Sequence, residues 1–150
     1  MGRLLLLLLL LLLLAAGGLA ACGGDGPDTA SVDVFLSEWE VSPEAGSTPA
    51  GAVRFTTTNG GQFVHQLLII RTETSAADLP TTPDGRIDES RADVLGKVDN
   101  VAPGGIERRT FTLQPGHYAL ACNIADETGG DVISHYQKGM RADFSVVAGD

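Results

Sequence analysis

Apolar positions rich in β-branched and aromatic side chains gather in short runs along most of the chain, set apart by polar turn signals. The runs are Val32 to Val41, Val53 to Thr58, His65 to Arg71, Val94 to Val101, Glu107 to Leu113, His117 to Cys122 and Arg141 to Val147. Gly51, Asn59-Gly60-Gly61, Pro103-Gly104-Gly105 and Pro115-Gly116 punctuate them. Runs of this composition between glycine, proline and asparagine clusters mark strands. Beyond the N-terminal leucines no stretch holds a helical period for three turns. The pattern predicts an all-β chain folded as a Greek-key β-sandwich of about seven or eight antiparallel strands.

Two segments fall outside that pattern. Thr72 to Arg91 is polar, contains Leu79-Pro80 and Pro83-Asp84-Gly85, and is long for a hairpin connection; a short helix is expected in part of it, around Ile87 to Ala92. Ile124 to Ser134 is the other. With Gly129-Gly130 at its tip it can return its two ends to one place at modest entropic cost. It is expected to form a solvated lid or a partner-recognition surface.

The first residues carry a targeting signature. Met1 to Arg3 is minimally basic, Leu4 to Leu14 are leucines throughout, and small residues lead into Leu19-Ala20-Ala21-Cys22, the layout of a secretory signal. A spanning helix needs roughly 20 apolar residues, and Gly17-Gly18 followed by Cys22-Gly23-Gly24-Asp25 cuts the run short. The tetrapeptide resembles the bacterial lipobox, which implies cleavage before Cys22 and a diacylglycerol on its sulfur. The expected organisation is a lipoprotein signal peptide over 1–21, a lipidated flexible tether over 22–30 and one domain over 31–148, held outside the cytoplasm on a bacterial cell membrane.

Charge narrows the partners. Ten basic residues stand against nineteen acidic, and loss of Arg3 with the signal leaves nine against nineteen, a net charge of −10. Nucleic acid and anionic lipid surfaces are not expected as docking partners, and a protein partner is expected to offer a basic patch. The acidity also serves solubility, and a monomer is expected.

The cysteine count then becomes informative. With Cys22 lipidated, Cys122 is the sole free thiol in a chain sent to an oxidising compartment, where surviving cysteines are usually paired. One reading makes it a small buried residue of the apolar run Tyr118 to Cys122. The other joins it to His65, His135 and Met140: one thiolate, two imidazoles and one thioether form the donor set that suits copper in electron transfer, because it matches neither oxidation state alone.

Asn59-Gly60-Gly61-Gln62-Phe63-Val64-His65, then Pro115-Gly116-His117-Tyr118-Ala119-Leu120-Ala121-Cys122-Asn123, then His135-Tyr136-Gln137-Lys138-Gly139-Met140 resemble the copper-loop segments of cupredoxins, the plastocyanin- and azurin-like blue copper proteins. The resemblance runs from about Val32 to Val147. It implies one type 1 copper ion cycling between Cu(I) and Cu(II), with His65, Cys122, His135 and Met140 as ligands, and one-electron exchange with a redox partner protein. Twelve residues separate Cys122 from His135, where blue copper proteins usually have only a few. Among them Asp126, Glu127 and Asp131 are carboxylates within reach of a metal.

Other donors are spoken for or missing. His117 follows Pro115-Gly116 and is expected to be exposed; Gln66 is placed either to support the metal shell or as an ordinary strand residue. Trp39, Phe55, Phe63, Phe111 and Phe144 are expected in the core, while Tyr136 packs beside the metal or faces solvent. Three histidines in all are too few for a second copper centre, and methionine is a poor fourth ligand for structural zinc. No nucleophile elbow or phosphate loop appears, so no enzymatic activity is expected. A copper-delivery lipoprotein and a metal-free interaction module of the same fold are the rival functions.

Overall fold

The computed structural model describes residues 29–149; the expected signal peptide, the lipidation site Cys22 and most of the tether lie outside them. The strands are β1 (Ala30–Ser37), β2 (Glu40–Pro43), β3 (Ser47–Pro49), β4 (Gly51–Asn59), β5 (His65–Arg71), β6 (Asp93–Val101), β7 (Ile106–Leu113), β8 (Gly116–Ala121), β9 (Ala125–Thr128), β10 (Asp131–Ser134) and β11 (Arg141–Val147). A single-turn helix, α1 (His135–Lys138), stands between the last two.

Two sheets enclose the core. One has the order β2-β1-β4-β7, the other β3-β11-β8-β5-β6, and the chain passes repeatedly from one to the other. Alternation sends Val32, Val34, Leu36, Val53 and Phe55 inward from the first sheet to meet Leu67, Ile69, Leu120, Phe144 and Val146 of the second. The Greek-key sandwich expected from the pattern is present. Its sheets are mixed rather than purely antiparallel, because β1 runs parallel to β4 and β3 parallel to β11.

The strand count exceeds the expectation for local reasons. The predicted run Val32 to Val41 is two antiparallel strands, β1 and β2, folded back at Glu38-Trp39. β3 exists only through its pairing with Ser145 to Val147. The excursion after Cys122 is itself a hairpin, β9 and β10, turned by Gly129-Gly130 at φ 64° and 91°, the left-handed pair that a tight two-residue hairpin turn requires.

β5 is buried on both faces. Leu67 and Ile69 face the sandwich core, while Leu68 and Ile70 join Ala119, Ala121, Tyr136, Ala76, Leu79 and Ile87 in a second cluster outside the sheet. Each large side chain so covered contributes about 1.5–3 kcal/mol. The long polar connection between β5 and β6 provides the cover. The short helix expected around Ile87 to Ala92 is absent; instead Ile87 bridges Thr81, and a 3-10 turn forms at Ala76–Asp78. That turn is fixed from the ligand side: Tyr136 Oη donates to the Ala76 carbonyl at 2.8 Å and accepts the Leu79 amide at 3.2 Å.

Candidate metal centre

Three loops converge at one end of the sandwich. Asn59, buried at the end of β4, donates through Nδ2 to the carbonyls of Phe63 and Val101, both at 2.8 Å, and accepts the Gly61 amide at 2.9 Å, so the turn that delivers His65 to the start of β5 is rigid. Cys122 follows the last residue of β8, and its amide donates to the Met140 carbonyl at 3.0 Å. The Met140 amide in turn donates to the His135 carbonyl at 3.1 Å. The His135 amide donates to the Ile124 carbonyl at 2.9 Å, which closes the base of the β9–β10 hairpin. The twelve-residue separation in sequence thus becomes proximity in space. Ser134 caps α1, its Oγ accepting the Gln137 amide at 3.2 Å.

His65, Cys122 and His135 are each fully buried, and their donor atoms all lie within 4.8 Å of one another. The His65 and His135 Nδ1 atoms are 3.2 Å apart; Cys122 Sγ is 3.4 Å from the second and 3.9 Å from the first. Met140 is fully buried in the same core cluster as Cys122. The Gln66 amide donates to Cys122 Sγ at 3.5 Å, so its backbone supports the sulfur.

The outer nitrogens of both rings meet carboxylates. His65 Nε2 lies 3.1 Å from Glu38 Oε1, and His135 Nε2 lies 2.8 Å from Asp126 Oδ2. A carboxylate oxygen accepts from a ring N–H, so each Nε2 faces its acid with a hydrogen and each ring turns its Nδ1 inward. The two Nδ1 atoms, 3.2 Å apart beside the Cys122 sulfur, form a donor set that a shared cation would satisfy. Donors at about 2.0–2.3 Å from a shared transition-metal ion stand roughly 3.3–3.9 Å apart; the separations of 3.4 and 3.9 Å fall in that range and the 3.2 Å between the ring nitrogens lies just below it.

Burial sets the protonation states. Desolvation pushes the Cys122 thiol up to about 11, against the lesser pull of the Gln66 and Ile124 amides. Desolvation also lowers His65, keeping it neutral against the contrary pull of Glu38. For Glu38 desolvation acts upward, yet the amides of Phe63 and Gln62 and then His65 hold the carboxyl below its usual value. A metal entering here displaces the thiol proton.

His65, Cys122, His135 and Met140, expected together from their chemistry, lie in one buried region. His117 is exposed and apart. Of the hairpin carboxylates, Asp126 is turned to the far edge of His135, while Glu127 and Asp131 are exposed. Phe55 and Phe144 are in the core, but the expectation fails for Phe63, which is 46% exposed. Its ring stacks on half-buried Trp39 at 5.9 Å, and both lie over His135, at 6.3 and 5.0 Å. Tyr136 neither faces solvent nor joins the donors; it is buried in the second cluster. Glu38 was not anticipated. The available signal was parity: position 38 continues the inward series Val32, Val34, Leu36, and a carboxylate on an inward parity needs a buried partner.

No protein-family model matches the sequence, and no curated protein matches it. Solved structures do match the fold. Reduced auracyanin from the photosynthetic bacterium Roseiflexus castenholzii shares 21% identity over 79% of this chain and 97% of its own, with a TM-score of 0.55. Auracyanin A, a "blue" copper protein from Chloroflexus aurantiacus, shares 16% over 79% and 99%, with a TM-score of 0.53. Reduced rusticyanin shares 20% over 82% of each chain, with a TM-score of 0.54. At such identities the likeness concerns the fold: the chain has the cupredoxin fold.

Proposed function

We propose that the protein is a mononuclear copper electron carrier, with His65, Cys122, His135 and Met140 as ligands, tethered outside a bacterial membrane through lipidated Cys22. The observation that carries the reading is the convergence of a buried thiol and two inward-turned imidazole nitrogens within 4.8 Å. When bound, copper supplies a one-electron Cu(II)/Cu(I) couple, taking an electron from one protein and giving it to another. The chain's part is to hold the donors in one arrangement and exclude water, so that little rearranges as the charge changes. Complete burial of the three donors and of Met140 favours a carrier whose ion stays over a delivery protein whose ion must leave. The acidic surface suits a redox partner with a basic docking patch. No enzymatic activity is assigned to the site.

The protein loaded with Cu(II) should show an intense thiolate-to-copper absorption in the visible, and Cys122→Ser should abolish it. A colourless protein that binds copper equally well after that change overturns the reading. A reversible one-electron wave separates a carrier from a delivery protein. Cys22→Ser should move the protein out of the membrane fraction without altering the spectrum.

A further inference from the structure

The two carboxylates behind the imidazoles come from unrelated parts of the chain. Glu38 stands at the fold-back between β1 and β2, and Asp126 on β9. Glu38 Oε1 accepts three donors: the Gln62 amide at 2.8 Å, the Phe63 amide at 2.9 Å and His65 Nε2 at 3.1 Å. Such an approach needs Gly61, because a Cβ there would lie 2.3 Å from the same oxygen. Asp126 Oδ2 meets His135 Nε2 at 2.8 Å from a hairpin whose base is fastened at Ile124. Both rings are fully buried, whereas the Glu38 and Asp126 side chains keep 22% and 37% exposure. Each acid is therefore held at the wet edge of the site and close enough to fix a dry ring.

We propose that Glu38 and Asp126 are paired positioning residues of this centre, each fixing one imidazole with Nδ1 inward and together biasing the site toward the oxidised ion. The inference rests on the proposed copper function for its redox half; its positioning half concerns the chain alone. A carboxylate accepting from a ligand imidazole locks the tautomer and makes the ring a better donor. Two such anions, added to a thiolate, stabilise a divalent ion more than a monovalent one, because the attraction grows with the ion's charge. The β9–β10 hairpin thereby acquires a role: it carries the second carboxylate to a ring that the sandwich alone leaves without one.

The test has two readouts. In the metal-free protein, nitrogen-15 spectra should show His65 and His135 as the Nε2–H tautomer; Glu38→Ala should mix the tautomers of His65 only, and Asp126→Ala those of His135 only. In the copper-loaded protein, Glu38→Gln and Asp126→Asn preserve shape and an acceptor but remove charge. Each should keep the visible band while shifting the Cu(II)-to-Cu(I) affinity ratio about tenfold toward Cu(I), a rise of about 59 mV in one-electron potential. Nδ1–H tautomers in the wild type, or unchanged potentials in both isosteric variants, overturn the inference. Should Glu38→Ala fail to fold, the wild-type tautomer of His65 and the potential of Glu38→Gln keep both halves testable. If the wild type takes up no copper, the functional reading fails, while the tautomers still decide whether the carboxylates position the rings.

Discussion

Asn123, the neighbour of Cys122, satisfies both backbone polar groups of Ile87: its Oδ1 accepts the Ile87 amide at 2.5 Å and its Nδ2 donates to the Ile87 carbonyl at 3.1 Å. A side chain thus takes the place of a strand partner and ties the long β5–β6 connection to the end of β8. Ser134 makes a second tie, donating to the Gly85 carbonyl at 2.7 Å. The connection braces the loop that carries Cys122, His135 and Met140.

Asn123→Ala leaves the amide and carbonyl of buried Ile87 without partners. An unsatisfied buried group costs about 1–3 kcal/mol, so urea unfolding of the metal-free protein should report a loss of roughly 2–4 kcal/mol. Asn123→Asp keeps the acceptor but turns an oxygen toward the Ile87 carbonyl and Glu89 Oε1, to which Asn123 Nδ2 donates at 3.1 and 2.9 Å, so it should not restore the loss. A change below about 1 kcal/mol in the alanine variant would mean that water replaces the amide and that the brace is weak.

The Asp84 turn gives a pH dependence. Asp84 accepts from the Thr82 hydroxyl and, through Oδ2, from Arg86 Nε at 2.7 Å. The Thr82 hydroxyl first, and Arg86 next, lower its carboxyl from 3.8 to about 2. A carboxyl with a depressed folded value stabilises the fold above the unfolded value and loses that contribution as pH falls through the folded one. The window is therefore from about pH 4 down to about pH 2. Amide resonances of Gly85 and Arg86 should move with a midpoint near 2, and Asp84→Asn should remove the transition. A midpoint near 3.8, the ordinary value, refutes the turn's influence.

Much of this arrangement was legible in the sequence, and the limits were physical. Alternation at Val32, Val34 and Leu36 reports burial directly, because a strand's side chains alternate between faces. His65, Cys122, His135 and Met140 declared themselves through donor chemistry rather than local pattern. Leu67 to Ile70, four apolar residues in succession, suit a strand covered on both faces, a burial that strand composition alone did not specify and that the polar connection after it provides. Ser47–Pro49 carried no pattern, since β3 depends on a distant partner strand. Parity marks Glu38 as inward-facing and Asp126 lies in the segment before His135, but the pairing of each acid with its ring, 27 and 9 residues away, is tertiary and nothing local specifies it.

Phe63 offers a separable test of the cover over His135. Its ring is 46% exposed and stacked on Trp39, so Phe63→Ala should cost only about 1 kcal/mol, the worth of an aromatic pair. The backbone amide that donates to Glu38 remains. If the two rings keep water and small ligands from the site, a chelator should strip copper from the variant several-fold faster while the visible band stays in place. Stripping rates in Phe63→Ala and Trp39→Leu no faster than in the wild type would show that the barrier lies elsewhere.

Gly139 links the helix, the cover and the last proposed ligand. It ends α1 with φ 121°, its amide donates to the Tyr136 carbonyl at 3.1 Å, and a Cβ at this position would lie 3.2 Å from the Trp39 carbonyl oxygen. Any side chain here meets both an unfavourable backbone conformation and a close neighbour. Strain of this kind costs about 1–3 kcal/mol. Gly139→Ala should therefore destabilise the metal-free protein by that amount, read from denaturant midpoints at constant slope. Relief of the strain has two routes: Met140 is drawn away from Cys122, or Trp39 is pushed off His135. The first changes the visible spectrum of the copper form with Trp39 fluorescence preserved; the second changes the fluorescence. A variant as stable as the wild type, with both signals unaltered, would show that the turn into Met140 does not depend on glycine.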